Sequence, residues 1–190
     1  MKLLNEILDF NEKFVAEKGY EKYETSKLPD KKMVIVSCMD TRLVELLPKS
    51  MNLKNGDFKH VKNAGAIVSD PFDSVMRSIL VAVYALNADE VFVIGHHQCG
   101  MASVDPGKMI EEFKGRGVSE DTIATLRHGG VDIEKWLEGF DSVESSVKDS
   151  VDVVKNHPLL PADVPVHGLV IAPDTGKLDL VINGYENQDQ

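Results

Sequence analysis

Residues 33–38 read Met-Val-Ile-Val-Ser-Cys, a short run that is rich in β-branched residues and apolar through its first four positions. A strand with one wet face alternates apolar and polar residues, and this run does not alternate. The run therefore predicts a strand over residues 33–37 that is buried on both faces, as in a parallel sheet covered by helices. Cys38 lies where this strand ends.

Four further runs are predicted to be strands, and helical patterns separate them. The predicted strands cover residues 58–62, 91–94, 166–171 and 178–182. The predicted helices cover residues 3–15, 41–50, 70–87 and 132–156, the last in two pieces that break near Gly139. Strands that alternate with helices form βαβ units, so we expect an α/β protein with a mainly parallel sheet and helices on both faces.

Local signals predict where one of these helices begins and ends. Asp70 followed by Pro71 predicts an N-cap and a first helical residue, and Asn87 predicts the C-terminal end. Trp136, at helical spacing in a later pattern, is predicted to lie in the core. Residues 101–130 are polar and interrupted by glycine, so we expect short helices and loops there.

Composition and charge indicate one soluble globular domain. The chain has 190 residues, of which 43% are hydrophobic, and this is enough for a single core. A formal net charge of −10 argues against nucleic acid and anionic membranes as partners. Asn5, Glu6 and Asp9 interrupt the apolar start, unlike a signal peptide, and no run reaches the roughly 18 apolar residues of a membrane span. We therefore expect a cytoplasmic protein.

Chemically reactive side chains follow two of the predicted strands. Cys38 ends the first strand, and His96 and Cys99 follow the strand over residues 91–94. The carboxyl ends of parallel strands meet at one edge of a sheet, where ligands usually bind. Two thiolates and an imidazole are zinc ligands, and three protein ligands leave a fourth position for water. The spacing therefore predicts a catalytic zinc site made by Cys38, His96 and Cys99.

Simpler interpretations exist for each member of this group. A single cysteine that ends a buried strand is more often an inert core thiol, and His96 alone could be a core histidine. The two cysteines could also form a redox pair, which needs no histidine. The coincidence of all three residues at one sheet edge favours the metal.

Asp40 and Arg42 follow the first cysteine closely and are predicted to form a bidentate ion pair beside the metal. The simpler interpretation is a surface salt bridge. Arg42 would keep Asp40 ionised, so that the carboxylate could accept the proton of zinc-bound hydroxide in a hydrogen bond and orient a lone pair of the hydroxide at a substrate. If Arg42 released it, Asp40 could instead become the fourth zinc ligand and close the site.

At these residues the chain resembles the β-class carbonic anhydrases, and it looks most like their short, divergent bacterial branch. Their signature is Cys-x-Asp-Ser/Thr-Arg followed by His-x-x-Cys-Gly, and here it reads Cys38-Met-Asp40-Thr41-Arg42 and His96-His-Gln-Cys99-Gly100. Asn63-Ala64-Gly65 is similar to a turn of that family, and residues 166–180 are similar to its closing hairpin. The resemblance covers most of residues 33–183.

The resemblance implies a zinc cofactor and the reversible hydration of carbon dioxide to bicarbonate and a proton. By it, Cys38, His96 and Cys99 are the zinc ligands, and Asp40 with Arg42 is the catalytic dyad. It also implies four parallel strands with an added antiparallel strand, in a single domain over residues 1–190. The N-terminal helical arm would cover residues 1–30 and the core residues 31–183.

The family resemblance further implies a homodimer or a larger homo-oligomer, with the N-terminal helix laid across the partner. That contact would cover the apolar face of Leu4, Leu8 and Val15. Some relatives of the bacterial branch hydrolyse carbonyl sulfide or carbon disulfide at the same kind of zinc site, so these substrates are alternatives to carbon dioxide. A non-catalytic, zinc-stabilised binding or regulatory protein is a further alternative.

Contacts with the substrate are predicted at two glycines. Gly65 and Gly100 would let backbone amides approach the substrate, although each could simply supply a turn. The chain departs from the family pattern nearby, because Lys62 stands where an arginine is common and Ala66 where a second glycine is common. His97 could shuttle protons, but we interpret it as a solvated histidine.

Overall fold

The structure is a computed structural model that describes residues 2–187. It contains a five-stranded sheet in the order β2-β1-β3-β4-β5. The strands are β1 (Met33–Cys38), β2 (Phe58–Asn63), β3 (Glu90–His96), β4 (Val166–Ile171) and β5 (Leu178–Ile182). Neighbouring strands run parallel, except that β5 runs antiparallel to β4. The predicted fold class is confirmed: an α/β fold with four parallel strands and one added antiparallel strand.

The strand order places the reactive residues in a crevice. The chain leaves β1 for β2 on one side and then returns to β3 on the other side of β1. Where successive strands are added on opposite sides of a parallel strand, a crevice forms at the carboxyl ends of the strands, and ligands bind there. Cys38 is the last residue of β1 and His96 is the last residue of β3, so both flank this crevice.

Helices connect the strands, and some of them cover the sheet. In the described part of the chain they are α1 (Leu3–Ala16), α2 (Leu43–Ser50), α3 (Ser74–Leu86), α4 (Pro106–Gly115), α5 (Glu120–His128), α6 (Ile133–Leu137) and α7 (Val143–Lys155). Asn87 ends α3 in the left-handed conformation, as predicted. The predicted break near Gly139 separates α6 from α7, and a Cβ atom at Gly139 would lie 1.7 Å from the Met101 carbonyl oxygen.

The start of α3 corrects the prediction made from Asp70. Asp73 is the N-cap, because its Oδ1 accepts a hydrogen bond from the Met76 amide at 2.7 Å. Asp70 instead closes a preceding turn by accepting from the Phe72 amide at 2.7 Å. Both aspartates offer the same cap chemistry. The buried residues of α3 begin just after Asp73, so the helix starts where its burial starts.

Apolar clusters cover both faces of the sheet. Val34 and Val36 of β1 belong to the cluster that includes α3 and α7. Met33 and Ile35 point the other way, into a cluster that includes α2. All residues of β1 are buried, which agrees with the continuous apolar run in the sequence.

The N-terminal helix α1 does not join these clusters. None of its residues is buried, and Leu3, Leu4, Ile7 and Leu8 are each more than half exposed. Its apolar face is therefore uncovered within one chain. Across residues 2–187, no helix has both the length and the hydropathy that crossing a membrane requires.

The prediction that Trp136 lies in the core is wrong. Its side chain is 76% exposed, whereas Ile133 and Leu137 of the same helix are buried. The helix α6 is short and packs through the face that carries Ile133 and Leu137. Trp136 lies on a different face, which helical spacing alone did not reveal.

Candidate metal centre

Two adjacent strand ends bring three potential metal ligands together. Cys38 and His96 end the parallel neighbours β1 and β3. Cys99 follows after a tight turn in which Gln98 has a left-handed backbone with φ 56°. The turn brings the chain back toward β1, so that the Sγ atoms of Cys38 and Cys99 lie 3.9 Å apart. Both cysteines are free thiols.

This geometry fits a tetrahedral zinc ion. With Zn–S bonds of about 2.3 Å, two sulfur ligands of a tetrahedron stand about 3.8 Å apart, close to the 3.9 Å between the two Sγ atoms. The potential ligand atoms of Cys38, His96 and Cys99 all lie within 4.8 Å of one another, and the three residues are buried. Two sulfurs and one imidazole nitrogen are also the donor types that zinc prefers.

A backbone carbonyl orients the ring of His96 for metal binding. Its Nδ1 lies 2.8 Å from the carbonyl oxygen of His97. A carbonyl can only accept, so Nδ1 carries the proton of the neutral ring and Nε2 carries the lone pair. Within residues 2–187, this buried Nε2 has no hydrogen-bond partner. A buried nitrogen without a partner is costly, and a metal ion would satisfy it.

The two thiols ionise differently in the metal-free chain. Burial opposes ionisation of Cys38, but the neighbouring His96 ring and the nearby backbone amides of Gly65 and Asp40 outweigh it and lower the pKa of Cys38. Burial raises the pKa of Cys99. A metal that binds both sulfurs would therefore release a proton mainly from Cys99.

Asp40 and Arg42 form the bidentate pair that their spacing predicts. Arg42 Nε donates to Asp40 Oδ1 at 3.0 Å, and Arg42 Nη2 donates to Asp40 Oδ2 at 2.8 Å. The backbone amide of Arg42 also donates to Asp40 Oδ1 at 2.9 Å. The hydrogen bonds from Arg42 lower the pKa of Asp40 to about 2. The carboxylate is therefore ionised at neutral pH.

Asp40 is a neighbour of the potential ligands as well as a partner of Arg42. Its Oδ2 lies 3.8 Å from His96 Nε2. This distance is somewhat longer than the separation of a nitrogen and an oxygen ligand on one tetrahedral zinc ion, about 3.3 Å. The carboxylate thus lies beside the expected metal position, either as a neighbour of a bound water or as a fourth ligand.

Sequence reasoning gave no role to Gln98 and did not find a contact for Lys62. Arg42 Nη1 donates to Gln98 Oε1 at 3.1 Å, and Arg42 Nη2 donates to the Gln98 carbonyl oxygen at 3.2 Å. Lys62 Nζ donates to the Cys38 carbonyl oxygen at 3.4 Å. Gln98 lies inside the second motif, but no sequence pattern signals its left-handed backbone. For Lys62, the sequence indicated only that the residue departs from the family pattern.

The predicted substrate contacts have different surroundings. The Gly65 amide helps to lower the pKa of the Cys38 thiol, and a Cβ atom at Gly65 would lie 3.0 Å from Met101. Open space surrounds the corresponding position at Gly100. Ala66 is buried and left-handed, with φ 59°, and the side chain of His97 is half-buried rather than fully solvated. The roles of Gly65 and Gly100 toward a substrate stay predictions.

The fold and this centre define a class: an α/β protein with a Cys–His–Cys group, able to hold a metal, at the carboxyl edge of a parallel sheet. A family model described as carbonic anhydrase matches residues 33–178. The chain therefore belongs to the carbonic anhydrase family, and its fold places it in the β class.

Individual relatives agree with this membership. A Bacillus subtilis protein provisionally named carbonic anhydrase YtiB is 65% identical, over 98% of this chain and 100% of its own length. The crystal structure of β-carbonic anhydrase isoform I from Trichomonas vaginalis is 33% identical with a TM-score of 0.89, over 97% of this chain and 100% of that one. A carbon disulfide hydrolase from Acidithiobacillus thiooxidans is 30% identical, over 72% of this chain and 66% of its own length.

Proposed function

We propose that this protein is a zinc-dependent carbonate dehydratase, which reversibly hydrates carbon dioxide to bicarbonate and a proton. One observation carries the proposal: the buried Cys38–His96–Cys99 group lies beside Asp40, which Arg42 holds in its ionised form. Similarity to the Trichomonas vaginalis β-carbonic anhydrase over nearly the whole chain supports the choice of reaction.

Three side chains would hold the zinc, through the two Sγ atoms and His96 Nε2. Zinc bound there would lower the pKa of water enough for it to lose a proton near neutral pH and act as a nucleophile toward an electrophilic carbon. The His97 carbonyl keeps the His96 proton on Nδ1, so that Nε2 stays available. The amides of Gly65 and Asp40 stabilise the charge on the Cys38 thiolate.

Asp40 would orient the attacking water. Its Oδ1 is held by two groups of Arg42, and its Oδ2 faces His96 Nε2. Because the carboxylate is ionised, Oδ2 could accept a hydrogen bond from the water and so direct an oxygen lone pair at the carbon. With a pKa of about 2, Asp40 does not retain a proton at neutral pH. The proton released by the reaction therefore passes on to buffer.

Stopped-flow hydration of carbon dioxide, followed with a pH dye, tests the proposal on zinc-loaded protein. We expect about one zinc per chain and a hydration rate well above that of buffer. Cys38→Ser should lose both zinc and rate. Asp40→Asn should keep zinc and lose rate by about 100-fold or more.

Asp89→Asn provides a matched control. Asp89 forms an ion pair with Lys32 at 3.0 Å at the opposite end of the sheet, so its loss should change neither zinc content nor rate. A zinc-loaded native protein that is no faster than buffer refutes the proposal. A Cys38–Cys99 disulfide in place of zinc in fresh protein would instead support a redox role.

Hydrolysis of carbon disulfide or carbonyl sulfide is the second candidate reaction. It is favoured by the similarity to carbon disulfide hydrolase over 72% of this chain. Incubation of the same zinc-loaded protein with carbon disulfide, with sulfide release as the readout, separates the two reactions. Sulfide release more efficient than carbon dioxide hydration would change the assignment. Bound zinc without either reaction would support a binding or regulatory protein.

We also propose that the protein is a single domain, with an arm over residues 1–30 and a core over residues 31–183, that forms a homodimer or larger homo-oligomer. The uncovered apolar face of α1 supports this, because a second copy would bury it. Light scattering should show that Leu4→Lys together with Leu8→Lys lowers the molar mass, whereas Asn5→Lys on the same helix does not. A monomeric native protein would exclude the assembly.

We further place the protein in the cytoplasm, where reducing conditions keep both free thiols available to a metal. Fluorescence microscopy of a tagged full chain, together with fractionation, tests this location. Recovery with an extracytoplasmic fraction would overturn it.

A further inference from the structure

We propose that Gln98 is a positioning residue: it holds the Arg42 guanidinium, and through it keeps Asp40 turned toward Arg42 instead of closing on the metal. The inference rests on the proposed function, in which Asp40 acts beside a bound zinc. It concerns a residue that carries no metal-binding or acid–base chemistry of its own.

The contacts of Arg42 divide its donors between two partners. Nε and Nη2 donate to the carboxylate of Asp40 at 3.0 and 2.8 Å. Nη1 donates to the side-chain oxygen of Gln98 at 3.1 Å, and Nη2 also donates to the Gln98 carbonyl oxygen at 3.2 Å. A planar guanidinium with both of its ends bound has a fixed orientation. Asp40 fixes one end of the guanidinium, and Gln98 fixes the other.

This anchoring matters because the side chain of Arg42 is 41% exposed. A long, exposed side chain bound only to Asp40 could rotate together with that carboxylate. Gln98 instead ties the guanidinium to the turn that carries Cys99, since the two residues are adjacent in sequence. The ion pair is thereby fixed relative to the metal ligands.

The left-handed backbone of Gln98 makes the double contact possible. At φ 56°, both its carbonyl oxygen and its side-chain oxygen reach Arg42. A residue with a side chain at positive φ usually carries a small cost. The conformation is consistent with a residue whose carbonyl and side chain are both used.

The alternative position for Asp40 is close. Its Oδ2 lies 3.8 Å from His96 Nε2, and a nitrogen and an oxygen ligand of one tetrahedral zinc ion stand about 3.3 Å apart. A small movement of the carboxylate would thus place it in the fourth metal position and exclude water. Whatever holds Arg42 in place opposes that movement.

Two variants separate the side chain of Gln98 from its backbone. Gln98→Met keeps the length and removes the hydrogen-bond acceptor, whereas Gln98→Gly removes the side chain and favours the left-handed backbone. Both should keep about one zinc per chain and lower kcat by about fivefold, as expected for one lost hydrogen bond to a charged group. KM should change by less than about twofold. Asn52→Gly, at another left-handed position with φ 53°, is the matched control and should not change kcat.

A double-mutant cycle tests whether Gln98 acts through Arg42. Lysine at position 42 lacks the fork that joins Asp40 to Gln98. In the Arg42→Lys background, Gln98→Met should therefore lower kcat by less than about twofold. Fully additive losses, or a change in KM alone, would overturn the positioning role and indicate a general structural effect or a direct substrate contact.

A measurement that does not depend on activity decides the same question. In ¹⁵N NMR spectra of the zinc-loaded protein, the Arg42 Nη groups should give separate signals, because both ends of the guanidinium are bound. Gln98→Met should average these signals through faster rotation. Separate signals in the variant would overturn the proposal. If the native protein fails to hydrate carbon dioxide, the proposed function fails, and this measurement still decides whether Gln98 holds Arg42.

Discussion

The sheet carries two buried histidines, one near each end, and their ring nitrogens are partnered in opposite ways. His96 lies at the carboxyl edge and His167 near the amino edge, with 1% and 4% of each residue exposed. In both rings, Nδ1 contacts the backbone, and Nε2 has no hydrogen-bond partner in the described part of the chain. His96 Nδ1 faces a carbonyl oxygen, whereas His167 Nδ1 accepts from the Gly184 amide at 3.1 Å.

This difference fixes the tautomer of each ring. A carbonyl partner forces the proton onto Nδ1 of His96, which leaves its Nε2 free to bind a metal beside two sulfurs. An amide partner forces the proton onto Nε2 of His167, which lies 3.4 Å from Glu90 Oε2 and stacks on Phe92. The comparison teaches that one backbone atom distinguishes a potential metal ligand from a structural histidine.

Replacement of each histidine should give the largest contrast. His96→Ala removes a ligand, so we expect zinc affinity to fall by more than about 100-fold and hydration to fall to the rate of buffer. His167→Asn should keep zinc and rate. Metal analysis and stopped-flow hydration of both variants measure this. Retained zinc in His96→Ala, or lost zinc in His167→Asn, would remove the distinction between the two sites.

The next largest contrast in kcat should come from the partners of the two carboxylates, Asp40 beside His96 and Glu90 beside His167. Arg42→Lys keeps a positive charge near Asp40 but loses the bidentate contact, so kcat should fall about tenfold with zinc retained. Tyr185 donates to Glu90 Oε2 at 2.9 Å beside His167, and Tyr185→Phe should leave kcat unchanged. Steady-state kinetics on both variants checks this. Equal effects on kcat would mean that the Asp40–Arg42 pair has no special role.

Replacement of His167 should change the free energy of unfolding. His167→Leu leaves the Gly184 amide without its acceptor, so the free energy of unfolding should fall by about 1–3 kcal/mol. His167→Asn offers an amide oxygen near the position of Nδ1 and should lose less. Denaturant unfolding of the zinc-free proteins measures both changes. If asparagine and leucine are equally destabilising, the contact with Gly184 does not stabilise the fold.

The smallest expected effect is on pH dependence, and it has opposite signs at the two sites in the zinc-free chain. The adjacent Cys38 sulfur raises the pKa of His96, so the contribution of His96 to stability is present below the ordinary value of 6.5 and is lost as pH rises through the raised pKa. Burial lowers the pKa of His167, so its contribution is present above 6.5 and is lost as pH falls through the lowered pKa.

NMR titration of the two imidazoles tests these signs directly. His96 should remain protonated to a higher pH than a free histidine, and His167 should remain neutral to a lower pH. Zinc should abolish the titration of His96, because metal competes with the proton on Nε2, and should leave that of His167 unchanged. Similar titration of both rings would contradict the assigned partners.

The sequence predicted those features that depend on local pattern. Continuous apolar runs such as that over residues 33–37 mark buried strands directly, and the strand order then brings Cys38 and His96 together. Asp40 and Arg42 are close in sequence, so their pairing could also be anticipated. The strands and the ion pair required only short-range information, and the meeting of Cys38 and His96 required in addition the rule that the carboxyl ends of parallel strands share one edge.

Other features depend on contacts that no short pattern encodes. Asp70 and Asp73 have the same cap chemistry, and only the packing of α3 selects Asp73. Trp136 has helical spacing, but a short helix buries one face. The roles of Gln98 and His167 depend on partners 56 and 17 residues away, respectively. The roles of such residues can be assigned only when the tertiary structure shows their neighbours.

Titration of zinc into the metal-free native protein, with the carbon dioxide hydration rate recorded at each step, tests the central claim most directly. The rate should rise in proportion to bound zinc and level off at about one zinc per chain. Cys99→Ser should show no such rise. A native protein that binds zinc at this ratio and still hydrates carbon dioxide no faster than buffer would contradict the account.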